Sequence, residues 1–386
     1  MTYVTSPGES LAFPPSFTWG AATAAYQIEG ATGADGRGPS VWDTFARTPG
    51  KVRGGDTGDI ACDSYHRYAE DADLLRSLGL RAYRFSVSWP RVFPAGGGQL
   101  NQAGLDYYKR LLDALNERGI TPAATLFHWD LPQALQDRGG WAARDTAFRF
   151  ADYAAAVAGA LGDRVPRWIT LNEPLVVAHN GHRIGVHAPG LADNAVADAV
   201  THHLLLGHGL GSAAVRAAAS GADVGITLNL TPVRVTAADG TRLHGMGEVL
   251  ERARRVADAV CNGIFLEPLL SGRYPEHAPP VILPPAGLVR DGDMTTIAAP
   301  LDFLGVNYYQ PEHLRAGDPD NLRRGEDRPM PGIEGGVVRY RPDGMEQTPM
   351  GWMIDPDGLY ELLLRLSADA PGLPLYITEN GCAAED

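Results

Sequence analysis

Short apolar runs alternate with longer segments of helical periodicity along most of the chain. Most of these runs are continuously apolar, as in parallel strands that are buried on both faces of a sheet. Seven such strands are predicted, at 17–24, 82–89, 121–129, 167–173, 223–230, 302–309 and 373–380. Helices are predicted at 63–78, 105–118, 144–161, 195–218, 244–266 and 358–367, and Gly79 and Gly119 follow two of them as C-cap residues. This order favours an α/β fold of the TIM (β/α)8 barrel type, and 386 residues fit one such domain, 1–386.

Two long segments, 30–60 and 311–350, interrupt the alternation and are rich in Gly, Pro, Arg and Asp. Each follows a predicted strand, so each is expected at the C-terminal face of the barrel, where barrel enzymes build their active sites. The alternative is a disordered surface loop without a function in catalysis.

Charge and cysteine content limit the partners and the compartment. The net charge of −13 argues against nucleic acid and anionic membranes, because both attract basic patches. Cys62, Cys261 and Cys382 are odd in number and far apart, so no disulfide framework or zinc motif is predicted. The N-terminus lacks the basic and apolar regions of a signal peptide, and no apolar run approaches the roughly 20 residues of a spanning helix. We therefore expect a cytoplasmic protein, and the sequence does not indicate its oligomeric state.

Two predicted strand ends carry a glutamate in a polar setting, Glu173 in ITLNEP and Glu379 in ITENG. On a parallel barrel, both side chains would project into the mouth. Two carboxyl groups that face one cleft can divide the acid and nucleophile roles in glycosidic bond cleavage, with retention at a separation of about 5–5.5 Å and inversion at about 6.5–9.5 Å. The alternative is that each glutamate caps the following helix. Two such glutamates, each beside an asparagine, favour catalysis.

Six motifs in the same order give the chain a specific resemblance. They are FTWGAATAAYQIEG at 17–30, YRFSVSWPR at 83–91, LFHWDLPQAL at 126–135, TLNEP at 170–174, FLGVNYY at 303–309 and YITENG at 376–381. From about residue 11 to its end, the chain resembles family 1 of the glycoside hydrolases, and in particular its β-glucosidases. The resemblance implies a TIM barrel whose active site lies at the strand ends that carry these motifs.

The resemblance also implies a reaction and a set of residues. The reaction is the removal of terminal β-D-glucosyl residues from O-glycosides by double displacement with retention, with galactosyl and fucosyl residues as alternatives. Glu173 would be the acid/base and Glu379 the nucleophile. Around them, Gln27, His128 and Asn172 would bind sugar hydroxyls, Arg84, Asn307 and Tyr309 would surround the nucleophile, and Trp129 and Trp352 would face sugar rings. The implied substrates are small β-glucosides or cello-oligosaccharides, as in cellulose degradation, and the mechanism needs no cofactor.

Each supporting residue also has a purely structural interpretation. Arg84 could pair with a buried acid, Trp129 and Trp352 could be core aromatics, Gln27 and Asn307 could be strand-end amides, and His128 could bond a loop carbonyl. His202, His203 and His208 lie in an Ala/Leu-rich helical segment with no supporting carboxylate, so no metal site is predicted.

The chain departs from the family pattern at its end. Family members continue beyond the nucleophile with an eighth strand, a closing helix and a segment that grips the terminal sugar. We therefore expect a barrel without strand eight and the closing helix, in which the first and seventh strands have unpaired edges. A fragment of a longer protein, a truncated or decayed gene, and a complete chain whose gap is filled by a partner or by rearrangement would each produce this pattern.

Other functions remain open on the sequence alone. A catalytically impaired family member could act as a carbohydrate binder or be a non-functional fragment. A 6-phospho-β-glycosidase is a further alternative, although 311–350 shows no clear phosphate cradle, which favours plain glucosides. An unrelated barrel enzyme such as an aldolase would require a lysine at a strand end, and neither Lys51 nor Lys109 lies at one.

Overall fold

The computed structural model describes residues 12–236, 247–285, 287–316, 333 and 337–382. Its strands in chain order are β1 Gly20–Ala22, β2 Ala82–Ser86, β3 Thr121–Phe127, β4 Arg167–Asn172, β5 Asp223–Asn229, β6 Val233–Thr236, β7 Phe303–Asn307, β8 Glu312–Ala316, β9 Val337–Arg339 and β10 Leu375–Glu379. Its α-helices are α1 Ala25–Ile28, α2 Val41–Ala46, α3 Ser64–Ser77, α4 Trp89–Val92, α5 Gln102–Glu117, α6 Gln133–Gln136, α7 Asp145–Leu161, α8 Pro174–Val176, α9 Asn194–Ala218, α10 Gly247–Asp258, α11 Ile264–Ser271, α12 Asp293–Ile297 and α13 Pro356–Asp369.

Seven strands form one parallel sheet in the order β1-β2-β3-β4-β5-β7-β10. Every neighbouring pair is parallel, and the long helices between the strands connect them as crossovers. The inner strands consist mostly of buried residues, and all five residues of β7 are buried. The predicted (β/α) barrel with seven strands is therefore confirmed.

The sheet curves into a nearly closed barrel with an open seam. β1 and β10 are the two ends of the strand order and come close to each other, but no ladder joins them in the described part of the chain. Both edge strands are partly open to solvent: in β10, Ile377 is 46% exposed while its partner Val306 in β7 is fully buried. An unpaired edge of this kind matches the expected absence of strand eight.

The long helices follow the predicted periodicity. In α5, the buried residues Leu105, Tyr108, Leu112 and Leu115 recur every three to four positions and form one apolar face. Gly79 and Gly119 adopt φ values of +74° and +69° after α3 and α5, as expected of helix C-caps. No helix in the described ranges is both long and apolar enough to cross a membrane.

Several predicted element boundaries were wrong. The first strand is only three residues long, and Phe17 and Trp19 are exposed before it in an aromatic cluster with Phe13. The helix predicted at 244–266 runs on, through a π-helical turn at Ala259–Gly263, to the end of α11 at Ser271; residues 244–246 lie outside the described residues.

The two segments that interrupt the predicted alternation contain regular structure, which argues against their interpretation as disordered surface loops. Segment 30–60 contains α2, whose capping box joins Ser40 and Asp43. Segment 311–350 contributes β8 and β9 to a side sheet of order β6-β8-β9; its residues 317–332 and 334–336 lie outside the described residues. Since β6 and β8 follow β5 and β7 closely, the side sheet lies at the C-terminal face of the barrel.

Candidate active site

Polar side chains from five barrel strands meet at the carboxyl ends of the strands. Arg84 is in β2, His128 and Trp129 follow β3, Asn172 ends β4 and Glu173 follows it. Asn307 ends β7 and Glu379 ends β10, and the parallel register pairs these two residues directly. The barrel therefore gathers residues that are up to 295 positions apart in the sequence.

Glu379 is held by two donors. Arg84 Nη1 donates to its Oε1 at 2.6 Å, and the Tyr309 hydroxyl donates to its Oε2 at 2.5 Å. Burial opposes ionisation of this carboxyl, but the Arg84 charge and the hydrogen bonds outweigh burial and lower its pKa. His128 also acts in this direction only when it is charged, and burial lowers the pKa of His128 to about 3. Arg84 is therefore the main reason why Glu379 is a carboxylate at neutral pH.

Arg84 is almost completely buried and connects the strands around the site. Besides Glu379, it donates from Nη2 to Asn172 Oδ1 at 2.5 Å and from Nε to Thr125 Oγ1 at 3.0 Å. A buried guanidinium group with all of these partners fixes β2, β3, β4 and β10 relative to one another.

Glu173 lies in a different electrostatic setting. Its carboxyl is buried and accepts one hydrogen bond, from Asn307 Nδ2 at 2.6 Å. Burial and the nearby charge of Glu379 raise its pKa to about 7, although Asn307 and Arg84 oppose the rise. Its side chain makes no cap hydrogen bond to α8, which excludes the capping interpretation, and its φ of +46° is strained for a residue with a side chain.

Asn172 joins the two halves of the site. Its Oδ1 accepts from Arg84 and from Asn307 Nδ2, the latter at 3.2 Å, and its Nδ2 lies 3.1 Å from His128 Nε2. Because an amide nitrogen only donates, His128 Nε2 is the acceptor and the proton is assigned to Nδ1. Among the described residues, His128 therefore forms its hydrogen bond with Asn172 and not with a loop carbonyl, which was the structural alternative for this residue.

The two tryptophans predicted to face sugar rings lie beside these groups and are half-buried. Trp129 donates from Nε1 to the Asn172 carbonyl at 2.9 Å, and the Trp352 ring lies 5.1 Å from the Tyr309 ring. Partial exposure beside the carboxyl groups argues against a core role for either. Gln27 is exposed on α1 directly after β1 and is outside this hydrogen-bond network among the described residues.

Sequence reasoning missed two threonines that support the network. Thr125 accepts from Arg84, and Thr378 donates to Asn307 Oδ1 at 2.7 Å. Both are polar residues inside otherwise apolar strands, which is the signal that could have identified them. Such a residue on a strand buried on both faces needs a hydrogen-bond partner.

The histidines on α9 contact other side chains and backbone groups, and one reason given against a metal site there was wrong. His202 does have a carboxylate partner, because its Nε2 lies 2.8 Å from Asp293 Oδ2, and its Nδ1 lies 2.8 Å from the Tyr274 hydroxyl. His203 contacts the Trp141 carbonyl and His208 contacts Thr170. Across the described ranges, no group of three or more His, Cys, Asp or Glu residues is arranged to hold a metal ion.

The arrangement separates the protonation states of two neighbouring carboxyl groups. Glu379 is stabilised as an anion, whereas Glu173 is close to half-protonated at neutral pH. A pair of carboxyl groups with such different pKa values can supply one nucleophile and one proton donor to the same substrate.

The comparisons with known proteins agree on one family. The model of glycosyl hydrolase family 1 matches residues 9–386. Thermostable β-glucosidase B of Thermobispora bispora is 55% identical over 380 residues, covering 97% of this chain and 74% of the relative. A bifunctional β-D-glucosidase/β-D-fucosidase of Bifidobacterium breve is 45% identical over 384 residues, covering 98% and 80%. The solved β-glucosidase of Thermotoga maritima in complex with deoxynojirimycin superposes with a TM-score of 0.83 at 41% identity, covering 96% of this chain and 79% of that one.

Proposed function

The chain belongs to glycosyl hydrolase family 1, and from this membership we propose that it is a retaining β-glucosidase with Glu173 as acid/base and Glu379 as nucleophile. The observation that carries the proposal is the opposite setting of the two carboxyl groups. Arg84 and Tyr309 favour the anion of Glu379, and burial favours the protonated form of Glu173. We further propose that 1–386 forms a single glycosidase barrel domain.

In the first step, the carboxylate of Glu379 attacks the anomeric carbon. The bond to the leaving oxygen breaks as the Glu173 proton moves to that oxygen, and a covalent glycosyl-enzyme forms. Glu379 loses its negative charge in the ester, which removes one cause of the raised pKa of Glu173. Glu173 can then take a proton from water, which attacks the same carbon and releases Glu379, so that two inversions give net retention.

The surrounding residues support binding of a terminal sugar. We propose that Gln27, His128 and Asn172 contact its hydroxyl groups and that Trp129 and Trp352 cover its apolar face. A hydrogen bond between Asn172 and the 2-hydroxyl would strengthen towards the transition state. Arg84 and Asn307 already fix Asn172 from one side, which would pre-organise this contact.

The proposed substrates are small β-glucosides or cello-oligosaccharides, and the proposed compartment is the cytoplasm. The name of the Bifidobacterium breve relative supports β-D-fucosides as additional substrates. A β-D-fucoside is a 6-deoxy-β-D-galactoside, so comparing the kcat/KM values of an aryl β-D-fucoside and an aryl β-D-galactoside measures how strongly the site depends on the 6-hydroxyl.

The test is hydrolysis of an aryl β-D-glucoside by residues 1–386, with the first-formed anomer identified by proton NMR. We expect β-glucose first and no turnover by Glu379→Ala. Azide should rescue this variant with formation of an α-glucosyl azide, because the small anion replaces the missing carboxylate. Glu117→Ala, at an exposed end of α5, is the matched control and should keep wild-type rates.

The main competing function is sugar binding without turnover. It predicts a wild-type chain that binds deoxynojirimycin, hydrolyses no aryl glycoside and shows no azide product in the Glu379→Ala variant. That combination, in a sample whose circular dichroism shows an intact fold, would replace the hydrolase proposal with the binding one.

A further inference from the structure

Helix α2 places a tryptophan that sequence reasoning did not connect with the site against Trp129. The rings of Trp42 and Trp129 are 6.4 Å apart and inclined by only 25°, which is an offset stack. Trp42 is half-buried, and its other ring neighbours are Tyr26, Phe45 and His187 at 5.5–6.0 Å. Trp42 therefore stacks on Trp129, a residue that is proposed to contact the sugar.

Trp129 needs this kind of support because its backbone is strained. Its φ is +76°, a region that residues with side chains rarely adopt and that persists only where the surroundings impose it. One restraint is the hydrogen bond from its Nε1 to the Asn172 carbonyl. That bond fixes one edge of the indole. The rings of Trp42, His128 and His187 contact the Trp129 ring, and the Trp42 ring is the most nearly parallel of the three, at 25° against 57° and 39°.

Helix α2 is itself held firmly against the segment that follows Trp129. Val41 N donates to the Leu131 carbonyl at 2.8 Å, and Ser40 forms a β-bridge with Pro132. A buried ion pair between Arg37 and Asp43 secures the helix start. The Tyr26 hydroxyl adds a hydrogen bond of 3.1 Å to the Trp42 carbonyl, so α1, α2 and the turn after β3 form one packed unit.

We propose that Trp42 is a positioning residue for sugar binding, which holds the Trp129 indole in the orientation that the site needs. The inference rests on the proposed function, since it concerns the same sugar site. Loss of the stack would let the indole reorient and loosen its bond to the Asn172 backbone. The effect should fall on substrate and inhibitor binding more than on the chemical step.

The experiment compares Trp42→Phe and Trp42→Leu with the control Trp19→Phe, which changes an exposed tryptophan before β1. KM and kcat are measured with an aryl β-D-glucoside, and deoxynojirimycin affinity is measured by calorimetry, independently of turnover. We expect Trp42→Leu to raise KM and the inhibitor Kd roughly tenfold and Trp42→Phe to raise them roughly threefold, each with a smaller change in kcat. Trp42→Phe should also remove any near-ultraviolet circular dichroism signal that arises from coupling between the Trp42 and Trp129 indoles. Trp19→Phe should leave KM, kcat and the inhibitor Kd unchanged.

The outcomes separate this inference from the function on which it rests. If the wild-type chain hydrolyses and binds but both Trp42 variants keep its KM and Kd while losing only thermal stability, Trp42 is a packing residue and the inference is wrong. If Trp42→Leu does not fold, Trp42→Phe decides alone, and unchanged binding overturns the inference. A wild-type chain that neither hydrolyses nor binds overturns the proposed function together with the inference.

Discussion

Arg84 donates a hydrogen bond of 2.6 Å to Glu379, and its charge is the largest of the influences that lower the pKa of the proposed nucleophile. Replacing Arg84 with methionine removes the cation and leaves the burial of Glu379, so the pKa of Glu379 should rise. We expect the acidic limb of the kcat/KM profile to move to higher pH. We also expect kcat/KM at its optimum to fall about 10- to 100-fold.

Steady-state kinetics between pH 4 and pH 9 check this expectation. Arg149→Met is the control, because Arg149 forms an exposed pair with Asp145 on α7. An acidic limb at the wild-type position in Arg84→Met would show that Arg84 does not set the ionisation of Glu379.

The wild-type alkaline limb should report Glu173. Since the pKa of Glu173 is raised to about 7 and the proposed reaction needs its protonated form, kcat/KM should fall as pH rises through about 7. Glu173→Ala should lack this limb with a dinitrophenyl glucoside, whose leaving group needs no proton. Persistence of the limb in that variant would assign it to another group.

Asn307 should also affect the pH at which the alkaline limb of the kcat/KM profile falls. Its amide donates to Glu173 at 2.6 Å, which favours the ionised form and opposes the rise caused by burial. Asn307→Ala removes that donor, so the alkaline limb should move to higher pH while kcat falls, because Asn172 also loses a partner. The exposed Asn116→Ala serves as the control, and a limb that moves to lower pH would contradict the assignment.

The sequence predicted the fold and the positions of Glu173 and Glu379 at strand ends, because both features depend on local patterns. Continuous apolar runs marked the barrel strands, and a glutamate at the end of such a run marked Glu173 and Glu379. The side sheet was missed because β8 and β9 are short and lie in a segment rich in Gly, Pro and Arg, where strand propensity is low.

Contacts between segments that are far apart in the chain could not be predicted from the sequence. Asp293 is 91 residues from His202, and no periodicity connects them. The contact between Trp42 and Trp129 also could not be predicted from the sequence, because the position of Trp42 depends on how α2 packs against the turn after β3. Thr125 and Thr378 are recognisable as polar residues in apolar strands, but sequence does not show that their partners are Arg84 and Asn307.

The His202–Asp293 contact leads to a prediction on stability. Asp293 is buried, pairs with Arg144 at 2.8 Å and accepts from His202, and these partners outweigh burial and lower its pKa strongly. A lowered pKa means that the contribution to the free energy of unfolding is present above the unfolded pKa of about 3.9 and is lost as pH falls below it. Asp293→Asn removes the charged partner of the partly buried Arg144 and should lower the free energy of unfolding at pH 7 by about 2 kcal/mol. In urea unfolding, this difference from wild type should stay constant down to about pH 4 and narrow below it. Asp73→Asn breaks only an exposed pair with Arg118 and should lower the free energy of unfolding much less than Asp293→Asn at pH 7. An equal cost for the two variants, or a difference that does not narrow at pH 3, would mean that the Asp293 contacts do not stabilise the fold through charge.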